Sequence, residues 1–227
     1  MNIVITGSGK GIGYETVCRL LSEKHNVIAL SRNVKALEVL KKKNKRSLIV
    51  IPFDLSKDDF SVLSGKIRSA VTTVDVLINN AGTVVNKPFE KITNDDLNDV
   101  YNVNVFSVFK LIQSLLPLMK SNSHIVNISS MGGFQGSVKF SGLSAYSSSK
   151  GALTVLSECL AEEFKEKKIS VNCLCLGAVQ TEMLSNAFPG YKAPLSAGEM
   201  AEFISYFSVN GHRFFNGKVL PVSLSNP

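Results

Sequence analysis

The feature that most constrains the fold is a glycine-rich turn close to the start of the sequence. Residues Asn2–Thr6 are mostly apolar and predict a short buried strand, and residues 14–23 have the apolar periodicity of a helix. Between them lies Gly7-Ser8-Gly9-Lys10-Gly11-Ile12-Gly13. Glycines allow a tight turn and let the backbone approach a diphosphate at a helix N-terminus. The stretch therefore favours a dinucleotide-binding unit over a turn that binds nothing.

The rest of the chain alternates predicted strands and helices without a linker or a sequence repeat. Further strands are predicted at residues 27–30, 48–53, 74–78, 124–129, 169–176 and 218–222, and helices at residues 34–43, 58–69, 94–120, 145–165 and 196–208. Such alternation is typical of βαβ units with a parallel sheet. We predict one doubly wound Rossmann-type α/β domain over residues 1–227, with a seven-stranded parallel sheet and helices on both faces.

The end of the second strand predicts the cofactor. In Rossmann folds an acidic residue here accepts from the ribose 2′-hydroxyl, whereas an arginine accommodates a 2′-phosphate. The sequence has Ser31 and Arg32 at this point and no carboxylate, and Lys10 lies in the glycine turn. Two cations favour NADP(H) over NAD(H), although both could also be ordinary exposed charges.

Tyr146 and Lys150 lie four residues apart in a predicted helix, on one face and one turn apart. A phenol has a pKa of about 10, so it exchanges protons poorly at neutral pH. We expect the ammonium of Lys150 to lower the pKa of Tyr146 and allow proton exchange with a substrate oxygen. An isolated pair of this kind also occurs on solvated helix surfaces, so its meaning depends on the surrounding motifs.

Taken in order, these motifs resemble the short-chain dehydrogenase/reductase family over nearly the whole chain. The features that carry the resemblance are Thr6-Gly7-x-x-x-Gly11-Ile12-Gly13, Asp54 after the third strand, Asn79-Asn80-Ala81-Gly82, Asn104, Ser129-Ser130, Tyr146-x-x-x-Lys150, and Asn172 with Gly177 and Thr181. The ordered set is much more specific than any single member.

The resemblance implies four catalytic residues. Tyr146 would be the general acid, Lys150 would lower its pKa and hold the nicotinamide ribose, and Ser130 would hydrogen-bond the substrate oxygen. Ser130 is favoured over Ser129 because neighbouring strand residues face opposite ways and because Gly133 follows it by three positions. Asn104 would anchor a water beside Lys150 in a proton relay.

The resemblance also implies a cofactor site. Asp54 and Leu55 would contact the adenine, and Thr181 would hold the carboxamide. The full set of expected cofactor-binding residues is Gly7, Ser8, Lys10, Gly11, Ile12, Gly13, Arg32, Asp54, Leu55, Asn80, Ala81, Gly82, Tyr146, Lys150, Gly177, Val179 and Thr181.

Several departures from the family pattern fall near the expected substrate pocket. The loop between Ser130 and Tyr146 is longer than usual, and Leu176 stands where the family has proline before Gly177. The short segment after Thr181 predicts a small lid and an open pocket. These variable loops leave the carbonyl or alcohol substrate unidentified, with a 3-oxoacyl thioester as one guess among several.

Composition favours a cytoplasmic enzyme. The four cysteines are dispersed, no signal peptide or membrane-spanning run is evident, and the histidines lack companions at metal-ligand spacing, so we predict no metal site. Cys173 and Cys175 are expected to be small buried residues. The net charge of +7 comes largely from residues 41–46, which lack aromatic residues for stacking on bases, so we expect no nucleic-acid or membrane partner.

Two other function classes remain open from the sequence. A dinucleotide-binding regulator without turnover is the main alternative, and the intact catalytic set argues against it. A nucleic-acid binder is the other, based on the basic run alone. The family resemblance further implies a homodimer or homotetramer formed by the two long helices.

Overall fold

The computed structural model describes residues 1–224, so the predicted domain end at Pro227 lies outside the described residues. A seven-stranded parallel sheet is ordered β3-β2-β1-β4-β5-β6-β9, and β7 and β8 form a separate two-stranded sheet. The predicted Rossmann-type sheet is therefore confirmed. The strands are β1 Asn2–Thr6, β2 Asn26–Ser31, β3 Leu48–Pro52, β4 Val76–Asn79, β5 His124–Ser130, β6 Ser170–Leu176, β7 Val179–Gln180, β8 Leu195–Ser196 and β9 Val219–Val222.

Helices cover both faces of this sheet because successive strand side chains point to opposite faces. On β1, Ile3 and Ile5 join an apolar core with α1 and α8, whereas Val4 joins the core beneath α3, α5 and α6. All three side chains are fully buried. The helices are α1 Gly11–Ser22, α2 Lys35–Lys43, α3 Phe60–Ala70, α4 Asn94–Tyr101, α5 Ser107–Leu115, α6 Ser144–Glu163, α7 Glu182–Ala187 and α8 Ala197–Asn210.

The strand order reverses beside β1, which pairs with β2 on one side and β4 on the other. In open α/β sheets this switch point leaves a crevice at the carboxyl ends of the strands. The glycine turn after β1 and residues 79–82 after β4 meet there, so the topology places the predicted motifs together.

The long helical stretch predicted over residues 94–120 is confirmed over residues 94–118, but it is not one regular α-helix. Thr93 caps α4 through a capping box with Asp96, and the chain then widens into a π-turn over Asn102–Phe106 before α5 begins. Pro117 has no N–H to continue the helix, and a 3-10 turn over Leu116–Leu118 follows α5. The π-turn contains the buried Asn104, and such turns are frequent at functional sites.

The region predicted as a loop with short helices contains β7, α7 and β8. Residues Val179 and Leu195 are partners in the small parallel pair, and Thr181 caps α7 by accepting from the N–H of Leu184. This places the six-residue α7 over the carboxyl end of the main sheet. Across residues 1–224, no helix has the length and apolar character needed to cross a membrane.

Candidate active site

A cleft of about 870 Å³ opens at the carboxyl ends of the strands. It is lined by 17 of the residues that the sequence predicted for a site: Gly7, Lys10, Gly11, Ile12, Gly13, Arg32, Asp54, Leu55, Asn80, Ala81, Gly82, Ser130, Tyr146, Lys150, Gly177, Val179 and Thr181. Ser8 and Asn104 do not line it. The Ser8 hydroxyl instead donates to the carbonyl of Leu30, 3.0 Å away, and the side chain is fully buried.

The end of β4 is fastened to the glycine turn. The Thr6 hydroxyl accepts from the backbone N–H groups of Asn80 and Ala81 at 3.0 Å each, and the Asn80 amide donates to the carbonyls of Thr6 and Gly7. Gly7 has a φ of +66°, and a Cβ there would lie 2.7 Å from the Cα of Ala81. Only glycine therefore allows the two segments to approach this closely.

The start of α1 has the properties of a diphosphate site. No side chain caps its first N–H groups, and its first turn carries no acidic residue. A Cβ at Gly13 would collide with the Gly7 carbonyl and the Asn80 amide, so the helix start is held against β1. Free N–H groups and the positive end of the helix dipole favour an anion. The residues present therefore fit the diphosphate of a dinucleotide.

Three charged residues surround the opposite, adenosine end of the cleft. Arg32 is exposed at the end of β2, and Asp54 and Lys57 follow β3. Burial acts to raise the pKa of Asp54, but hydrogen bonds from Ser56 and the charges of Arg32 and Lys57 produce a net lowering. Arg32 lines the cleft at the position where the sequence predicted a 2′-phosphate contact, and Lys57 is an additional lining residue that the sequence motifs did not indicate.

Lys10 is committed to another partner. Its ammonium lies 2.9 Å from a carboxylate oxygen of Glu182, the first residue of α7, and both side chains are mostly exposed. The contact joins the glycine turn to α7 along the edge of the cleft. The sequence analysis treated Lys10 and Arg32 as two cations available to the cofactor and did not predict that Glu182 pairs with Lys10.

Tyr146, Ser130 and Lys150 meet at the inner end of the cleft. The Ser130 hydroxyl is close enough to Tyr146 to affect its pKa, and the Lys150 ammonium lies 6.0 Å from the centre of the Tyr146 ring. That ammonium donates to the carbonyl of Ile128 at 2.8 Å. Ser129 is buried and donates to the Lys150 carbonyl instead, which supports the choice of Ser130 as the site serine.

The expectation that Lys150 lowers the pKa of Tyr146 is wrong for this structure. Burial raises the pKa of Tyr146, the hydrogen bond from Ser130 opposes the rise, and the thiol of Cys175 adds to it. Burial also lowers the pKa of Lys150 to about 8. Loss of hydration disfavours the charged form of both side chains. The phenol is therefore protonated at neutral pH, which is the form that donates a proton.

Asn104 supports this arrangement from the π-turn. Its side-chain oxygen accepts from the N–H of Thr83, and its amide donates to the Thr83 carbonyl and to the Ser149 hydroxyl, at 2.9–3.0 Å. A Cβ at Gly82 would lie 3.3 Å from the Lys150 ammonium and 3.4 Å from the Asn104 oxygen. Asn104 thus ties the segment after β4 to α6 close to Lys150.

A family model described as short chain dehydrogenase matches residues 1–192. The chain belongs to the short-chain dehydrogenase/reductase family. It is an NAD(P)-dependent oxidoreductase, as the family resemblance implied.

Relatives of this short-chain dehydrogenase include two reductases. A protein named fatty acyl-CoA reductase from Acinetobacter baylyi is 32% identical over 89% of this chain and 71% of its own. One named carbonyl reductase [NADPH] 2 from Sus scrofa is 33% identical over 81% of this chain and 73% of its own. The solved structure of a short-chain dehydrogenase/reductase from Serratia marcescens is 27% identical, with a TM-score of 0.85, over 97% of this chain and 95% of its own.

The short-chain dehydrogenase motifs did not reveal the outer half of the cleft. Its lining includes Asp99, Phe140, Leu143, Phe188 and Tyr191, from α4, the loop before α6 and the segment around α7. No spacing rule marks such residues, because their position depends on how long loops fold over the sheet. Glu182 was missed for the same reason, although it follows the predicted Thr181 directly.

Proposed function

We propose that the chain is an NADP(H)-dependent carbonyl reductase that also catalyses the reverse oxidation of a secondary alcohol. The observation that carries this proposal is that Tyr146, Ser130 and Lys150 lie together in the cleft that the glycine turn also lines. Two hydroxyl groups that converge on one point can hold a single carbonyl oxygen between them.

In the reductive direction Tyr146 is the proton donor. The reduced nicotinamide, when bound, supplies the hydride to the carbonyl carbon. Ser130 donates a hydrogen bond to the substrate oxygen and stabilises the negative charge that develops there. Tyr146 then transfers its phenolic proton to that oxygen. The raised pKa of Tyr146 keeps this proton in place before the reaction, so the free enzyme is prepared for reduction.

Lys150 and Asn104 complete the proposed catalytic set. Lys150 hydrogen-bonds the nicotinamide ribose and limits the charge change at Tyr146 during proton transfer. Asn104, fixed by Thr83 and Ser149, holds a water beside Lys150 through which Tyr146 is reprotonated. The buried position of both side chains supports roles that need fixed geometry.

The proposed cofactor contacts follow the cleft from end to end. The glycine turn and the start of α1 bind the diphosphate, Asp54 and Leu55 bind the adenine, and Thr181 binds the carboxamide. The remaining proposed contacts are Ile12, Asn80, Ala81, Gly82, Gly177 and Val179, which all line the cleft.

We expect Arg32 to give the preference for NADP(H). Its guanidinium can bind a 2′-phosphate through two charge-assisted hydrogen bonds, and the carboxylate that reads a 2′-hydroxyl is absent from the end of β2. Arg32→Leu should weaken NADPH binding by about 10- to 100-fold and leave NADH binding nearly unchanged. Arg46→Leu, which removes the same charge away from the cleft, is the matched control. Equal losses for both cofactors would reject the assignment.

Turnover distinguishes this function from the regulatory alternative. The wild-type protein is mixed with NADPH and a panel of ketones, aldehydes and diketones, and NADPH absorbance is followed. The proposal predicts steady oxidation of NADPH with at least one carbonyl compound. Tight NADPH binding without turnover on any of them would favour a dinucleotide-binding regulator.

We also propose that this single domain forms a homodimer or homotetramer in the cytoplasm. Phe106, Phe109 and Val155, at the end of the π-turn and on α5 and α6, are 49%, 45% and 57% exposed, which is unfavourable for large apolar side chains in water. All four cysteines are free, as suits a reducing compartment. Light scattering should give a mass of two or four chains, and Phe109→Lys should lower it.

A further inference from the structure

We propose that the substrate is an uncharged carbonyl compound with an apolar aryl or alkyl body, and that the cleft discriminates against anionic carbonyl compounds. This inference rests on the proposed reductase function and assigns a substrate class to the same site. It follows from the chemistry of the cleft beyond Tyr146, which differs from that of the dinucleotide half.

The outer half of the cleft is apolar on both sides. Leu143 and Phe140 lie three and six residues before Tyr146, and Phe188 and Tyr191 follow α7. Leu143 is buried, whereas the rings of Phe140 and Tyr191 are about half exposed at the mouth. Apolar surface that is exposed in the free protein gains stability when an apolar ligand covers it.

Both walls are held by one short segment after β4. The side-chain amide of Asn86 donates to the carbonyl of Ala187 in α7 at 2.8 Å, and the N–H of Lys87 donates to the carbonyl of Gly142 at 3.0 Å. The walls are therefore linked to each other as well as to the sheet. A pocket built this way presents its apolar surface before substrate arrives, which reduces the entropy lost on binding.

The charges that line the cleft are unevenly distributed. Among the described lining residues, the exposed cations Lys10, Arg32 and Lys57 belong to the glycine turn and the loops after β2 and β3, at the dinucleotide end. The fourth cation, Lys150, is 4% exposed and donates to Ile128. Of the lining carboxylates, Asp54 lies at the dinucleotide end, Glu182 pairs with Lys10, and Asp99, on α4, is exposed with no ion pair among the described residues.

Two lysines close in sequence to the outer half, Lys139 and Lys87, have other partners, and Lys192, next to Tyr191, is exposed and does not line the cleft. Lys139 donates to the carbonyl of Phe134 and the hydroxyl of Ser137, at 2.7 and 2.6 Å. Lys87 pairs with Asp96 at 2.7 Å. A substrate carboxylate in this half would therefore lose water, meet Asp99 and find no cation there among the described lining residues. Burying an unpaired charge is strongly unfavourable, whereas an uncharged body meets no such cost.

The test compares two probes of nearly the same shape, methyl 4-acetylbenzoate and 4-acetylbenzoate. The wild-type enzyme with NADPH should have a kcat/KM about 100-fold higher for the ester, because binding discriminates strongly against an uncompensated charge. Equal values, or a higher value for the acid, would overturn the inference while leaving the reductase function intact.

Two substitutions on α4 test whether the charge of Asp99 causes the discrimination against the acid. Asp99→Asn removes the negative charge that repels a substrate carboxylate. It should lower the ratio of kcat/KM for the ester to kcat/KM for the acid by about fivefold. Asp95→Asn makes the same charge change on an exposed residue of α4 that does not line the cleft, and its ratio should equal that of the wild type. The proposed role of the Asp99 charge would be contradicted if Asp99→Asn left the ester-to-acid ratio of kcat/KM unchanged. It would also be contradicted if Asp95→Asn changed this ratio by the same amount.

Measuring the binding of the two probes distinguishes failure of the proposed substrate class from failure of the proposed reductase function. If neither probe is reduced, the panel of carbonyl compounds decides whether the proposed function fails, and the thermal shift of Tyr146→Phe with NADPH and each probe is measured instead. A larger shift with the ester would still support the substrate class. Equal shifts would overturn it.

Discussion

Tyr146 and Lys150 share the inner end of the cleft, where loss of hydration changes the pKa of each side chain. Lys150 is buried beneath Gly82, and its pKa is lowered to about 8. A lowered lysine pKa means that the ammonium loses its proton at a pH where an exposed lysine keeps it. Any step that needs the charge of Lys150 should therefore depend on pH within an accessible range.

We predict that kcat/KM for NADPH is constant near neutral pH and falls above about pH 8. This parameter reports the ionisation of the free enzyme, so it follows Lys150. Rates measured at subsaturating NADPH and a fixed concentration of an apolar ketone give the profile. A profile that stays level beyond pH 10 would show that the charge of Lys150 is not needed.

His124 forms a buried network away from the cleft. Its Nδ1 donates to the carbonyl of Ser208 at 2.9 Å, and its Nε2 accepts from the amide of Asn172 at 2.9 Å. The Asn172 oxygen accepts from the N–H of Lys218, so the amide cannot turn to accept from a protonated ring. Burial lowers the pKa of His124 to about 4. The ring is therefore structural, as its lack of metal-ligand companions suggested.

This network should make the fold sensitive to acid. The unfolded chain binds a proton at His124 near pH 6.5 and the folded chain only near pH 4, so unfolding takes up a proton between these values. We expect His124 to contribute stability that is complete above pH 6.5 and decreases by about 3 kcal/mol as the pH falls to 4. Urea unfolding at several pH values measures this, and His124→Gln should remove that part of the slope. An equal slope in the variant would contradict the assignment.

At the scale of elements, the glycine turn and α7 are joined by the ion pair of Lys10 and Glu182. An exposed pair of this kind contributes little to stability, about 1 kcal/mol or less. Its position matters more than its strength, because Glu182 places a negative charge at the edge of an anion-binding cleft. If Lys10 binds the dinucleotide as proposed, the cofactor must compete with this carboxylate for its ammonium.

We predict that Glu182→Gln binds NADPH about fivefold more tightly than the wild type, because removing one nearby charge in a solvated site is worth about 1 kcal/mol. Fluorescence titration at low and high salt measures the change, which should shrink as salt screens the charges. Glu163→Gln, on the exposed end of α6, is the matched control. Unchanged or weaker NADPH binding in Glu182→Gln would reject this role for the carboxylate.

The sequence predicts most elements because their residues satisfy local rules. Buried parallel strands such as β4 are continuous apolar runs, and Thr93 with Asp96 marks a helix start. The π-turn over Asn102–Phe106 is not predictable in this way. Asn104 lies in this turn and is held by hydrogen bonds to Thr83 and Ser149, partners that are distant in the sequence.

At the scale of the whole molecule, the topology explains why distant motifs predicted one site. Parallel strands end at the same edge of the sheet, so Gly7, Arg32, Asp54, Asn80 and Ser130 meet without any one motif specifying the others. The substrate half lacks this guidance, because its walls are the loop before α6 and the segment around α7. Their residues became apparent only when the folded loops showed which side chains face Tyr146.

The proposed reduction requires Tyr146 to give its proton to a carbonyl oxygen held with Ser130. The most direct measurement compares NADPH oxidation by wild type and Tyr146→Phe with methyl 4-acetylbenzoate, together with the NADPH dissociation constant of each. We predict that kcat falls by about 100- to 10,000-fold while the dissociation constant changes by less than about twofold. A Tyr146→Phe enzyme that kept wild-type turnover would contradict the account.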